Sequence, residues 1–509
     1  MVLQGALSKQ RISLWSAVLA VALALFVLGN LAAFNHNDFM YALAPAVWVQ
    51  NGALYTDVPF PQAPLSILLN SLLVKATGNV NFFLIGRVES MLLVLLAMLL
   101  PVLDRTKLRN FDVWALYVAL CLTNLFVTAD SGEIGNYSIS LLCLAAAVTA
   151  FDRPGPAGWR GLLGCVAAGL ATSAKLYFAL LCPALLLYFL LRERAARNPK
   201  VIAACGAGFL LGFAPILYFI ARGYQSFWHA NVEIPVLFLP LKMANLHDGL
   251  LRIAKATLVF AVLMSIPLGF LAAAAIKQWR RGGAAFLHEG AKHLVVLVAY
   301  VMAISPIFVY PQYFGPLALL ILLFSAPWDS EALRPLYVKL GAVLFCAQCI
   351  QMISQTYQGA QPDGDLVVAQ VLKLQSRARQ IVSDGYRCER KVYTAEPLFL
   401  LENGVKYPPE LAAGPFIMFM RGEAIERKAK AFDLDGHLQK WNPDIVLWGY
   451  YLDSKSPNEA ATDRTIRDYA RNHAFVVVPL GKMEGHPIEL AYRPGCKPTS
   501  LNSPNGQKP

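Results

Sequence analysis

Asp38, Asp130 and Glu133 are acids standing at the ends of long apolar runs, and Lys175 is a lone cation between two such runs. A charge beside hydrocarbon is costly to keep unless it is used. A carboxylate is a group that can take a proton from a hydroxyl, and an isolated ammonium must either reach out to water or meet an anion, for which phosphate is the natural choice. Tyr41 follows Asp38 by one helical turn, Tyr310, Gln312 and Tyr313 form an aromatic turn, and His229 and Lys242 lie in the basic stretch 222–255 with Arg222, His247, Arg252 and Lys255. Tyrosines and amides of this kind stack on or hydrogen-bond sugar rings. Base, cation and ring-binding groups together suit a displacement in which a hydroxyl attacks and a phosphate leaves. Each residue also has a plain structural reading: Asp38 caps an interfacial helix, Asp130 and Glu133 sit in a solvated turn, Lys175 snorkels, His229 and Lys242 meet lipid headgroups, and the tyrosines are ordinary interface residues.

The elements that must position these residues are membrane helices. The chain has 509 residues, 57% hydrophobic and 15% charged, too apolar for a soluble globular protein of this size. Its net charge of +12 is spread in short clusters between apolar runs rather than on one face, which argues against nucleic acid. A helix needs about 20 apolar residues to cross a bilayer. Eleven segments are predicted spans: 12–34, 81–103, 111–128, 137–151, 161–174, 176–191, 201–221, 254–276, 293–309, 314–327 and 336–354. Lys9 and Arg11, then Arg105, Lys107 and Arg109, then Arg192, Arg194, Arg197 and Lys200, then Lys277, Arg280 and Arg281 fall on one side, which the positive-inside rule makes cytoplasmic. The stretch 222–255 breaks the pattern, and its basic residues are expected either to mark a wrong topology or to bind something anionic outside. The predicted division is a membrane module, 1–354, and a soluble extracytoplasmic domain, 355–509.

Residues 35–80, the first outer loop, are too polar to span and too apolar to float, and they read as short interfacial helices between proline-rich turns. Past 355 charged residues return, and strands are expected within 391–401, 414–420, 443–451 and 474–481, with helices at 365–382 and 459–473, giving a small α/β domain. Seven of the nine cysteines lie in apolar segments, and Cys388 and Cys496 are left to form either one disulfide or two thiols.

Asp38 with Tyr41, then Asn51-Gly52-Ala53-Leu54-Tyr55 and Pro61-Gln62-Ala63-Pro64-Leu65, resembles the bacterial GT-C transferases related to protein mannosyltransferases and the lipid A aminoarabinose transferase. Asp38 matches the first acid of an Asp-Glu pair in those relatives and Phe39 replaces the second, while Gln62 and Ala63 replace the acid and base of a Glu-Lys-Pro-Pro-Leu motif. The resemblance continues through Asp130 and Glu133, through the glycine, threonine and lysine pattern ending at Lys175, and through the aromatic turn 309–314. It implies a mainly α, polytopic transmembrane bundle of about eleven helices, GT-C in type, with its site outside the cytoplasm in a bacterial inner membrane. The implied partners are a polyprenyl-phosphate sugar donor, membrane lipids, and an acceptor that is lipopolysaccharide, another glycan, a lipid or a protein, with Asp38 as general base. The sequence holds no glycine-rich phosphate loop of a nucleotide-sugar enzyme. No metal-ligand set is assigned. A divalent metal is allowed, and the missing second acid favours a metal-independent reaction. A flippase or transporter of lipid-linked saccharides is the alternative, and it would exploit Arg87 and Glu89 inside the second span; a membrane-anchored scaffold is a third reading.

Overall fold

The computed structural model describes all residues except 1, 33–36, 52, 53, 57, 59, 104, 109, 130, 133, 194–197, 234–245, 282, 307–309, 329, 360–364, 384, 385, 402, 403, 410–432, 455, 456 and 497–509. Each of the eleven predicted apolar segments falls on helix. The first is α1, Val2–Ala32, followed in the outer loop by α2, Asn37–Asn51, and α3, Pro64–Thr77. Then come α4, Asn79–Leu99, α5, Phe111–Thr123, α6, Tyr137–Asp152, α7, Ala157–Ala174, α8, Leu181–Arg192, α9, Pro199–Gly212, and α10, Ala214–Trp228. The bundle is completed by α11, Leu246–Leu263, α12, Ser265–Arg281, α13, Gly283–Ile304, α14, Gly315–Ser325, and α15, Arg334–Gly359. The chain is an integral, multi-pass membrane protein.

By length and composition, three described helical stretches can cross a bilayer alone: Gln10–Ala32, Phe82–Val102 and Arg334–Gln358. Two further predicted spans are bent pairs, α9 with α10 by 56° and α11 with α12 by 76°. Pro215 and Pro267 stand one and two residues into the second helix of each pair, where the missing amide removes a backbone bond across the joint. The predicted span 111–128 is interrupted at Asn124, whose side chain accepts from the Phe126 and Val127 amides and starts a new short helix. Helices α7 and α9 pack through glycine: a β-carbon at Gly208 or Gly212 would strike the Leu162 or Val166 carbonyl oxygen. Such small-residue contacts let helices associate in lipid, where apolar burial alone gives no preference.

After α15 the chain folds α16, Val367–Ser383, β1, Val392–Thr394, α17, Leu434–Trp441, β2, Ile445–Trp448, α18, Pro457–Asn472, β3, Val476–Met483, and β4, His486–Tyr492. The sheet runs β1-β2-β4-β3, with β1 parallel to β2 and the other pairs antiparallel. Three of the four predicted strand regions contain strand, and 414–420 lies outside the described residues. The region 391–401 is strand only to Thr394, because Pro397 enters a 3-10 turn over Pro397–Leu400. Cys388 and Cys496 form a disulfide across 108 residues of sequence.

Two apolar cores result. One fills the bundle, around Phe126, Phe260 and Phe314. The other is shared by the first outer loop, through Phe39, Tyr41, Val47, Tyr55 and Phe60, and by the sheet and α16, through Val371, Tyr393, Val446 and Leu490.

Candidate active site

Asp38 lies in the first turn of α2, and nothing of it reaches solvent. Its Oδ2 is 2.5 Å from Arg87 Nη2 on α4, and its Oδ1 accepts the Ile134 amide at 2.8 Å. Arg87 is 2% exposed, donates to the Asn30 carbonyl at 3.1 Å and lies 4.8 Å over the Phe83 ring. Asn30, at the end of α1, accepts from Ser131 at 2.8 Å. An ion pair so deep is kept only with good geometry and further hydrogen bonds, and this one has both.

Two residues after Ile134, Asn136 leads to the second half of the site. Asn136 donates to Gln62 Oε1 at 3.0 Å and its Oδ1 lies 3.3 Å from Lys175 Nζ. Lys175 is half-buried at the end of α7, where the helix breaks into an extended residue. Its ammonium sits 4.0 Å from the Tyr137 ring centroid, 5.7 Å from Tyr177 and 6.0 Å from Tyr313. Aromatic faces attract a cation, and the phenols crowd the same space with hydrogen-bonding groups. The three rings also contact one another, Tyr137–Tyr313 at 5.6 Å and Tyr177–Tyr313 at 6.2 Å.

The remaining predicted residues distribute around this pair of centres. Tyr310 is exposed and meets Tyr313 edge-on at 5.8 Å, while Gln312 between them is buried. Tyr41, one turn after Asp38 on α2, is buried against Phe60 at 6.0 Å. His229 is exposed at the end of α10 and pairs with Glu233 at 2.7 Å. Asp130, Glu133 and Lys242 lie outside the described residues.

Arg87, Asn136, Tyr137 and Tyr177 were not read as site residues from the sequence. Arg87 was visible as an ionisable residue inside an apolar span, a signal that a partner must exist. The three others carry no signal in a sequence, since a turn asparagine and interface tyrosines are common.

Gln62 is held by a strained loop. Tyr55 has φ 71°, donates its hydroxyl to the Gln62 carbonyl at 2.7 Å, and meets Phe219 and Phe227 of α10 edge-on at 5.3 and 5.1 Å. Left-handed backbone at a tyrosine is rare and held only where surroundings dictate it. Among the described residues, one group of three metal-ligating side chains has its ligand atoms within 4.8 Å, namely Cys388, Asp444 and Cys496, and the disulfide engages both of its sulfurs.

No protein-family model matches the chain, and no curated protein matches its sequence. Solved structures match its fold. ArnT from Cupriavidus metallidurans bound to undecaprenyl phosphate superposes with a TM-score of 0.55 at 11% identity, over 95% of this chain and 98% of ArnT. The apo state of the same protein gives 0.56 at 11% identity over the same shares. The Archaeoglobus fulgidus oligosaccharyltransferase tethered to an acceptor peptide gives a TM-score of 0.42 at 11% identity, over 90% of this chain and 72% of that one. Over 95% of this chain, the fold is that of ArnT, a GT-C glycosyltransferase.

Proposed function

We propose that this protein is a membrane glycosyltransferase that moves a five- or six-carbon sugar from a polyprenyl-phosphate donor to an acceptor hydroxyl outside the cytoplasm. The observation that carries the proposal is the placement of Ile134 and Asn136, two residues apart, of which the first holds the Asp38–Arg87 pair and the second meets Lys175. A carboxylate and a phosphate-binding cation are thereby held by one short piece of backbone, in a fold shared with a protein crystallised on undecaprenyl phosphate.

In this reading the acceptor hydroxyl displaces one of the hydrogen bonds that cover Asp38, its oxygen attacks the anomeric carbon, its proton passes to Asp38, and the carbon–oxygen bond to phosphate breaks with the electron pair leaving on the polyprenyl phosphate. Lys175 balances the phosphate charge, helped by the surrounding phenols. Tyr41, Tyr310, Gln312 and Tyr313 are assigned to sugar and acceptor, Asp130 and Glu133 to support of the turn, and His229 and Lys242 to the lipid phosphate or an anionic acceptor. Arg87 already supplies a buried cation to Asp38, so we infer a reaction that needs no divalent metal. The basic loops at the opposite helix ends and the Cys388–Cys496 disulfide both support placing the site and residues 355–509 outside a bacterial inner membrane.

The test is sugar transfer by purified protein from a panel of polyprenyl-phosphate sugars to membrane extract, comparing wild type with Asp38→Asn. Donor consumption by wild type and its loss in a folded Asp38→Asn variant is the expected outcome. Equal activity of the two removes Asp38 from the chemistry. Passage of lipid-linked sugar across proteoliposomes without any transfer favours the flippase reading instead.

A further inference from the structure

Phe39, the neighbour of Asp38, meets the C-terminal domain. It is fully buried, with Phe399 at 5.7 Å, Tyr450 at 5.9 Å and Tyr451 at 6.0 Å between ring centroids. These three rings come from two separate segments, the 3-10 turn Pro397–Leu400 and the turn that follows β2. The two segments are joined by a pair of acids. Glu396 and Asp463 are both fully buried and interact, and one oxygen of each, Glu396 Oε2 and Asp463 Oδ1, accepts no hydrogen bond from any other group. Glu396 Oε1 accepts the Tyr450 amide at 2.5 Å and the Tyr451 amide at 3.4 Å; Asp463 Oδ2 accepts the Gly449 amide at 2.9 Å and the Tyr451 amide at 3.0 Å. The turn they hold needs glycine at 449, where φ is 139° and a β-carbon would strike the Pro487 carbonyl oxygen.

Two interacting carboxyls that are both fully buried cannot both ionise at ordinary cost, so they share a proton. Burial, then the Asp463 charge, lifts Glu396 well above the carboxylate range, and burial lifts Asp463 to about 6. The protonated pair can bridge the two segments, whereas the doubly ionised pair repels. Other titratable groups close by are Glu459, the phenols of Tyr450 and Tyr451, Glu484 on the Tyr450 hydroxyl at 2.6 Å, and His486 against the Tyr450 ring at 5.7 Å, with Asp453 beyond it. Burial raises both phenols above their ordinary range, beyond the window at issue.

We propose that Phe39 and the Glu396–Asp463 pair are positioning residues: the C-terminal domain grips Phe39 in an aromatic slot, the acid pair keeps that slot closed, and the grip sets the rotation of α2 that aims Asp38. This rests on the reading of Asp38 as the reacting carboxylate. Because the folded acids bind a proton more tightly than they do unfolded, their stabilisation is full at low pH and lost as pH rises through the folded values. The slot therefore opens on the alkaline side, and transfer falls with it.

The experiment measures kcat, KM and pH profile for transfer from the polyprenyl-phosphate sugar panel, beside amide hydrogen exchange over residues 37–51 corrected for intrinsic rate. Phe39→Ala is expected to lower kcat roughly tenfold to a hundredfold, as a displaced reacting group does, with donor KM within about threefold, and Phe39→Leu to recover most of the loss. Glu396→Gln keeps a donor to Asp463 and an acceptor for Tyr450 but cannot ionise, so it should fold as wild type, abolish the alkaline fall in kcat, and retain protection of 37–51 at a pH where wild type loses it. An unchanged alkaline limb in Glu396→Gln, or wild-type kcat in Phe39→Ala, overturns the proposal even if Asp38→Asn is inactive. Protection of 37–51 that follows the acid pair as expected, in a protein that consumes no donor, keeps the slot and sinks the transferase reading alone.

Discussion

The two ends of the helix bundle treat charge differently. At the basic end, Arg192 pairs with Asp152 with the side chains 31% and 22% exposed, and Arg160 pairs with Glu193 at 2.9 Å with 11% and 21% exposed. At the opposite end, Asp38 and Arg87 are 0% and 2% exposed. Partly exposed pairs keep some of their hydration and serve to tie loops to helix ends, at a worth of about 0–1 kcal/mol each. A fully buried pair has lost its water, and either partner left alone is an uncompensated charge. The difference marks the Asp38 end as the one where loss of a partner costs more stability.

The largest effect is therefore expected at Asp38. Asp38→Asn should reduce transfer about a hundredfold to ten-thousandfold, the range for removal of a general base. Asparagine retains an acceptor for the Ile134 amide but leaves the Arg87 charge uncompensated, so thermal unfolding in detergent must accompany the assay. Next comes Arg87→Met, expected to destabilise by about 3–5 kcal/mol because it strands a buried carboxylate. A double variant, Asp38→Asn with Arg87→Met, should melt higher than Arg87→Met alone. If the double variant is no more stable than the single one, the two ends of the bundle do not differ in the way drawn above.

Much of this architecture was legible in the sequence, for reasons that differ by element. Long apolar runs leave little choice but helix in hydrocarbon, which is why each predicted span lands on one. Asp38 and Lys175 stood out as candidates because a charge beside hydrocarbon is costly to keep, with helix capping and snorkelling as the plain alternatives. The Asp38–Arg87 pair was not, since 49 residues and the relative register of two helices separate the partners. The tyrosines about Lys175 come from three places in the chain, and only Tyr313 among them stood out. In the C-terminal domain, β3 was read from its valines, but β4 was missed because Pro487 and Glu489 dilute its apolar run; its register with β2 and β3, as in Val446 and Val477 both facing Ala491, is set by tertiary pairing. The role of Phe39 was equally hidden, since its slot is assembled from residues about 360 to 410 positions away in sequence.

Lys175 tests the same end of the bundle with a smaller expected effect. A charge-assisted contact to phosphate is worth about 1.5–3 kcal/mol, so Lys175→Ala should lower kcat/KM roughly tenfold to a hundredfold. Lys175→Arg should recover only part of this, because the planar fork does not fit a space shaped by three rings around a compact ammonium. Loss of less than a factor of two in Lys175→Ala would assign the cluster to structure and leave the donor phosphate to another cation.

The smallest effect belongs to the basic end. Arg192→Gln removes the pair with Asp152 but leaves that carboxylate the Tyr188 hydroxyl, which donates to it at 2.7 Å, and access to water. The expected cost is under about 1 kcal/mol in thermal unfolding, with transfer unchanged. Because exposed pairs are screened, raising salt should shrink even that difference, whereas the Arg87→Met defect, in a site closed to ions, should be insensitive to salt. Equal salt sensitivity in the two variants would mean that water and ions reach Arg87, and the buried pair would then have to be regarded as a second surface tie rather than the seat of a placed carboxylate.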